Sequence, residues 1–406
     1  MLFAHFARQV VTWGHLTVID ARGRRHEIAG TPGRRAVIRL HDPALHHRLA
    51  LNPYLHLGEA YMDGTLTIEE GSLYDFLDIC AANQANANRA PLTAALNAVQ
   101  RWLRAIHQYN PVRRARAHAH HHYDLSDTLY GLFLDRDRQY SCAYFTHPHD
   151  DLEQAQLDKK RHIAAKMLIE PGHRVLDIGS GWGGLALYLA EAGAGDVLGI
   201  SLAEEQVKFS RERAERSGLG DRVRFELRDY RELTGSFERI VSVGMFEHVG
   251  VRYYRAFFRK VRELLTEDGV ALLHAIGRRD GPGWTNPWLR KYIFPGGYAP
   301  ALSEVLPSIE REGLWVTDIE VLRLHYAETL CLWRRRFAAN RARIAEIYDE
   351  RFCRMWEFYL IGSELGFRRL GQMVFQIQLA RRQDAVPLTR DYIAERDAHQ
   401  AQLAAE

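Results

Sequence analysis

Between residues 152 and 276, apolar runs of strand length alternate with longer stretches of helical period. Leu152 to Met167 reads as an amphipathic helix rich in Gln and Lys. Val175 to Ile178 reads as a strand that breaks into Gly179, Gly181 and Gly183, then resumes with helical spacing to Ala190. Val197–Ser201, Val223–Leu227, Ile240–Gly244 and Gly269–Ile276 have the composition of further strands, with helices predicted over Glu204–Ser217 and Tyr253–Leu265. Strands alternating with helices imply right-handed crossovers and a parallel sheet covered on both faces, the doubly wound α/β class.

The flanks follow other patterns. Met1 to Val11 predicts a short amphipathic helix. Leu16–Asp20, His26–Ile28 and Ala36–Leu40 predict strands split by turns such as Gly30-Thr-Pro-Gly33, and Leu73–Leu77 predicts a helix. Asn83 to Pro91 is polar and Pro-broken, the composition of a loop, ahead of a helix from Leu92 to His107. Towards the C-terminus, Trp333–Phe337, Arg341–Tyr348 and Met355–Leu370 read as helices and Gln372–Leu379 as an alternating last strand; from Asp384 onward the chain is polar and expected to be peripheral. These shifts divide the chain into residues 1–110, a main domain over 111–390 and a tail over 391–406.

Composition adds limits. With 47% hydrophobic residues in 406, sizeable cores are within reach, and Lys+Arg 54 against Asp+Glu 51 leaves a net charge of only +3, so nothing global argues for nucleic acid. Cys80, Cys142, Cys331 and Cys353 show no framework and no C-x-x-C spacing, which favours a reducing cytoplasm. No run approaches the roughly 20 apolar residues of a membrane span. Local charge is less even. Arg22, Arg24, Arg25, Arg34, Arg35 and Arg39 stand almost unopposed, as a solvated face or as a surface for anionic phospholipid. Arg101, Arg104, Arg113, Arg114 and Arg116, interleaved with Trp102 and Tyr109, suit a lipid headgroup layer, RNA, or a plain surface linker. Gly283-Trp-Thr-Asn-Pro-Trp288 carries tryptophans expected to be exposed on a flap at a bilayer interface.

Candidate chemistry gathers at strand ends. The glycine loop departs from the dinucleotide fingerprint because its third glycine comes one residue early and Asp177 precedes the first; the Asp177 carboxylate can hold an ammonium or order the loop amides. The Asp-x-Gly-x-Gly-x-Gly run resembles the nucleoside-binding loop of S-adenosylmethionine-dependent methyltransferases. Ser201 ends the next strand and Gln206 follows a turn later, as a ribose or methionine contact, while Asp229 is placed to accept from an adenine amino group or to sit in a plain turn. Glu247 and His248 end the fourth strand, and His274 interrupts the apolar fifth, where a buried imidazole needs a partner and Glu247 is the candidate. Cys142, between small and aromatic residues, reads as buried filler or as a reagent. The run His118-Ala-His-His-His-Tyr-Asp124 has no matching ligand cluster elsewhere, so no metal is expected; Ser126 and Asp127 cap a short helix after it.

Taken together, Tyr140-Ser-Cys-Ala-Tyr144, Asp177-Ile-Gly-Ser-Gly-Trp-Gly-Gly184, Arg239-Ile-Val-Ser-Val-Gly-Met-Phe-Glu-His-Val-Gly250, Leu272-Leu-His-Ala-Ile-Gly277 and Lys291-Tyr-Ile-Phe-Pro295 resemble the cyclopropane-fatty-acid-phospholipid synthase family and its mycolic acid branch. The likeness runs from about residue 118 to 382 and more loosely through 58–76. It implies a Rossmann-like methyltransferase sheet with a smaller N-terminal α+β lipid-binding domain. It also implies transfer of a methyl from S-adenosylmethionine to a cis double bond of a phospholipid acyl chain, with bound bicarbonate as the base that lets the ring close. By the same resemblance Tyr140, Ser141, the loop from Asp177 through Gly179, Ser180, Gly181 and Trp182 to Gly183, Ser201 with Leu202, Gln206 and Tyr230 contact the cofactor. Cys142, Glu247, His274, the Ile276 backbone and Tyr326 form the bicarbonate site. One position departs: Ser363, followed by Glu364, stands where the family commonly has a cysteine, which puts the final product in doubt between a ring and a methyl-branched or methylene chain. The expected partner is unsaturated phospholipid at the inner face of the cytoplasmic membrane, with no nucleic acid; a homodimer is left open. A small-molecule N-methyltransferase and a non-catalytic lipid-binding protein are the competing readings.

Overall fold

The computed structural model describes residues 2–107 and 127–403. The chain forms two compact units, one of Met1–His107, Trp284–Pro295 and Leu330–Gln372, the other of Gln108–Gly283, Gly296–Thr329 and Met373–Glu406. The units thus cut the chain at more points than the boundaries expected at residues 110 and 390.

In the first unit, β1 (Trp13–Ile19), β2 (Arg25–Ala29), β3 (Thr31–Leu40) and β4 (Leu66–Glu70) form a sheet of order β2-β1-β3-β4. β1 runs antiparallel to β2 and parallel to β3, and β4 closes the sheet antiparallel to β3. Val18, Ile38, Leu40, Leu49, Leu66 and Ile79 are fully buried between this sheet and the helices over 45–51, 53–62 and 73–82. Ser72 starts the last of these with a reciprocal capping box to Asp75.

Three expectations are corrected here. The basic residues of the sheet are not all unopposed: Arg24 pairs with Asp20 at 3.0 Å, Arg39 with Glu69 at 3.1 Å, and Arg34 with Asp78 at 2.7 Å and with Asp75. The segment expected as a loop holds the short helix Gln84–Arg89. No glycine or proline interrupts it, and Pro91 opens the next helix, where its missing N–H costs nothing. Trp288 is not exposed: it is 1% accessible, packs on Phe358 at 4.7 Å and donates from Nε1 to Met62 Sδ. Gly58 permits that contact, since a Cβ there would come within 2.4 Å of the indole.

In the second unit β5 (Arg174–Ile178), β6 (Asp196–Ser201), β7 (Val223–Leu227), β8 (Phe237–Val243), β9 (Leu265–Arg278), β10 (Trp315–Val321) and β11 (Gln372–Ala380) form a seven-stranded sheet of order β10-β11-β9-β8-β5-β6-β7. The five central and first-formed strands are parallel, as the alternating pattern predicts. β10 pairs antiparallel with β11, so the sheet is mixed rather than wholly parallel. This is an α/β Rossmann-like methyltransferase sheet beside a smaller N-terminal α+β unit.

The helix Leu152–Lys166 forms where expected, but its lysines do not all lie on a wet face: Lys159 and Lys166 are wholly buried. Nor is the C-terminal stretch peripheral. Tyr392–Leu403 is a helix with Ile393 in the core, and Asp397 meets His162 Nδ1 at 3.4 Å and also pairs with Arg161. Its polar composition reflects binding to a charged helix rather than to solvent. Among the described residues no helix is long and apolar enough to cross a membrane.

Candidate active site

β5 places Asp177 at its C-terminal end, with Asp177 level with Gly199 of β6 and Val241 of β8. The chain then turns through Gly179, Gly181 and Gly183, whose φ angles of +89°, +52° and +82° are open to glycine and strained for other residues. A cavity opens in the crevice beyond the strand ends, where open α/β sheets bind ligands. Its walls include Asp177, Gly179, Ser180, Gly181 and Trp182 from the loop, Tyr140 and Ser141 from the segment before the Leu152–Lys166 helix, and Ser201, Leu202, Gln206, Asp229 and Tyr230 from beyond β6 and β7. Gly183 alone of the expected cofactor residues lies off this wall. A Cβ there would meet Phe225 at 2.8 Å and Ser210 at 2.9 Å, so it serves helix packing.

The electrostatics of the cavity favour a cation. Asp177 is 1% exposed, its Oδ2 has no hydrogen-bond partner, and burial pushes its carboxyl up to about 7 against the opposing pull of Lys159. An ammonium group would satisfy that orphaned oxygen. Ser201 Oγ donates to Gln206 Oε1 at 3.0 Å, which leaves the Gln206 amide nitrogen to donate to a ligand. Trp182 Nε1 is likewise buried without a partner. Asp229 differs from expectation: its oxygens already accept from Arg231 at 2.8 and 2.6 Å, so an adenine amino group would have to share them. These donors and acceptors fit S-adenosylmethionine, with Asp177 facing its ammonium.

Sequence reasoning missed Lys159. Its Nζ donates to Gln139 Oε1 at 2.5 Å and to Ser141 Oγ at 2.9 Å from a fully buried position, and burial lowers it to about 8. Gln156 Nε2 holds the Gln139 and Ser141 carbonyls from the same helix at 3.2 and 3.1 Å. Beyond the segment, Tyr144 lies stacked between His162 and His325 at 4.2 and 4.9 Å. Only the Gln and Lys content of the helix hinted at such anchoring, and periodicity assigned those residues to solvent.

The residues expected around bicarbonate are placed as follows. Glu247 sits in a turn after β8, next to Met245 and His248 of the cavity wall. Its Oε1 accepts from Ile276 N at 2.6 Å, its Oε2 is buried without a partner, and burial raises its carboxyl to about 7 although the Ile276 amide pulls the other way. The Glu247–His274 hydrogen bond expected from sequence is absent. His274 on β9 instead has Nδ1 within 3.2 Å of Gln376 Nε2 on neighbouring β11, and burial lowers it to about 3, so it is a neutral imidazole at physiological pH. Cys142 is buried, with Sγ donating to the Ala143 carbonyl at 3.3 Å and its thiol pushed up by burial, which keeps it protonated. Ala143 N donates to Thr329 Oγ1 at 3.0 Å, one helical turn beyond the buried Tyr326. Ser363 is half-buried in the Glu350–Arg369 helix of the first unit; the adjacent Glu364 binds Arg334 at 3.0 Å and Arg368 at 2.9 Å. The fit to bicarbonate is partial: Glu247 Oε2 offers an acceptor for its O–H, while the Ile276 amide is already engaged.

No cluster of three His, Cys, Asp or Glu among the described residues has the geometry to hold a metal. The histidine run 118–122, the cap at Ser126, and Arg113, Arg114, Arg116 and Tyr109 lie outside the described residues.

Comparison with known proteins bears on this site. The family model described as mycolic acid cyclopropane synthetase matches residues 111–377. The cyclopropane-fatty-acyl-phospholipid synthase of Escherichia coli (strain K12) is 37% identical over 346 residues, covering 85% of this chain and 88% of that protein. A probable fatty acid methyltransferase of Pseudomonas putida is 36% identical over 346 residues, 83% of this chain and 85% of that protein. Among solved structures, mycolic acid cyclopropane synthase CmaA1 complexed with SAH and CTAB is similar at 31% identity and a TM-score of 0.62, over 67% of this chain and 99% of that one.

Proposed function

The chain belongs to the mycolic acid cyclopropane synthetase family and is an S-adenosylmethionine-dependent methyltransferase acting on fatty acyl groups, and from that premise we propose that its product is a cyclopropane ring on an unsaturated phospholipid acyl chain. The observation that carries this reading is the unpartnered, buried Oε2 of Glu247, held beside the cavity whose other wall is Asp177. When bound, S-adenosylmethionine supplies an electrophilic methyl.

The chain's own residues do the rest. Asp177 binds the cofactor's ammonium, and Ser141 and Gln206 orient its methionine and ribose parts. An alkene is a weak nucleophile, so it has to be held in line at near-attack distance, away from water. Positive charge then develops on the acyl chain, where the faces of Tyr140 and Tyr230 and the Glu247 carboxylate favour it. Closing the ring requires loss of one proton from the transferred carbon. Glu247 Oε2 is the acceptor that would orient the O–H of a bicarbonate for that task, with neutral His274 and the protonated Cys142 as donors. The lipid would be met at a membrane surface, as the acyl substrate and the basic N-terminal residues suggest.

A second reading stops earlier, at a methyl-branched or methylene chain. It is favoured by Ser363 in place of the family's cysteine and by the near-equal similarity to the Pseudomonas putida protein. Incubation with S-adenosylmethionine and monounsaturated phospholipid vesicles separates the two. Gain of one CH2 per chain with loss of the alkene supports ring closure; the same gain with an alkene retained supports the second reading. Methylation of free amines with untouched lipid would overturn both.

A further inference from the structure

The Pro91–His107 helix is packed inside out. On a helix that covers a protein core the apolar stripe faces inward. Here Thr93 and Asn97, one turn apart, are 1% and 8% exposed, and Gln100, one further turn along the same face, has a buried Oε1 without a partner. Asn97 Nδ2 donates to Asn88 Oδ1 at 3.1 Å, the oxygen that also accepts from Tyr54. The opposite face carries Ala95, Val99 and Trp102 at the same spacing, and Val99 and Trp102 are 52% and 78% exposed. A tryptophan that open, on the apolar face of a helix whose polar face is the anchored one, marks a surface built to be covered.

Charge says what covers it. From Asp78 to Asp124 the sequence contains no acidic residue between those two, while Arg89, Arg101 and Arg104 lie on or beside this helix and Arg113, Arg114 and Arg116 follow. A second copy of the chain seated face to face would bring like charges together. A sheet of anionic headgroups over acyl chains is complementary to both features: the arginines meet phosphate and the indole lies at the depth where its apolar body and N–H are both accommodated.

The geometry points to the exposed face of the Pro91–His107 helix as the element that docks the protein on an anionic phospholipid surface, lying in the interface with Val99 and Trp102 inserted. This deepens the phospholipid reading above and rests on it for its biological setting, but its test reads binding alone. The full-length chain is floated with vesicles of phosphatidylglycerol and phosphatidylcholine, and with phosphatidylcholine alone. Binding is expected to require the anionic lipid and to weaken with salt. Val99→Ser with Trp102→Ser should weaken it about tenfold. Both side chains are largely in water, so the fold should survive, as unchanged circular dichroism and unchanged turnover on detergent-dispersed lipid would show.

Binding that the double substitution leaves intact would overturn the proposal. So would a double variant that falls from dimer to monomer in light scattering while still floating, because the face would then belong to a second copy. Vesicles bound through Trp102 but never modified would instead sink the ring-forming reading and leave this one standing.

Discussion

Ile276 N donates to Glu247 Oε1 across 2.6 Å, tying the turn after β8 to the end of β9. That bond fixes one carboxylate oxygen and leaves Oε2 buried and free to accept. Replacing the carboxylate by its amide separates the two jobs. Glu247→Gln keeps an oxygen for Ile276 and turns the other end into a donor. The variant should fold with unchanged stability and bind S-adenosylmethionine nearly as well, while turnover falls about 10²- to 10⁴-fold. Steady-state kinetics decide: turnover within a few-fold of the parent would remove Glu247 from the proton path.

Lys159 offers a test of positioning. Its ammonium holds Gln139 and Ser141, and Ser141 lines the cofactor cavity. Lys159→Met would strand two buried acceptors at about 1–3 kcal/mol each. The KM for S-adenosylmethionine should rise about tenfold while kcat falls less. Lys159→Arg should not rescue, since a planar guanidinium has no room in a fully enclosed site. A loss confined to thermal stability, with KM unchanged, would make Lys159 purely structural.

The C-terminal helix gives a stability prediction. Asp397 is shared by Arg161 and His162, and His162 also meets Glu320 at 2.7 Å. Asp397→Ala should cost about 1–3 kcal/mol in urea unfolding without moving either kinetic constant. No loss would mean that Ile393 and its apolar neighbours carry the docking alone.

The central α/β alternation was legible because each strand of the sheet, from β5 to β9, is a short apolar run bounded by glycine or charge. Asp177, Gly181 and Gln206 could be placed in one crevice because position along such strands fixes where loops gather. β10 was not found. Its residues Trp315, Thr317, Ile319 and Val321 alternate with polar ones, but at a sheet edge both faces are half-wet and the signal is weak. Partners were harder than positions. Glu247 and His274 stood out as a pair on chemistry, yet side-chain bonds depend on which strand lies alongside, and β11, from a hundred residues later, supplies Gln376 instead. The same reason hid Trp288: nothing local says that Gly58 makes room for it. The lysines of the Leu152–Lys166 helix misled because a charged residue is read as wet until its buried acceptors are known.

Asp177 yields the final prediction, with its sign. In the empty cavity its carboxyl is raised from the ordinary value to about 7 because burial penalises the charge. The folded chain therefore binds this proton more tightly than the unfolded chain does. Stability from this group is full below the ordinary carboxylate range and is lost as pH rises through about 7. A bound cation reverses the balance, since it favours the ionised form. S-adenosylmethionine affinity should thus be nearly flat above pH 8 and fall about tenfold per unit below 7, and the thermal shift it produces should be larger at pH 8 than at pH 6. Asp177→Asn should bind more weakly at pH 8 and lose the pH dependence. Calorimetry of cofactor binding across this range checks both, and a parent protein whose affinity is flat from pH 6 to pH 8 would show that Asp177 does not face the cofactor's charge.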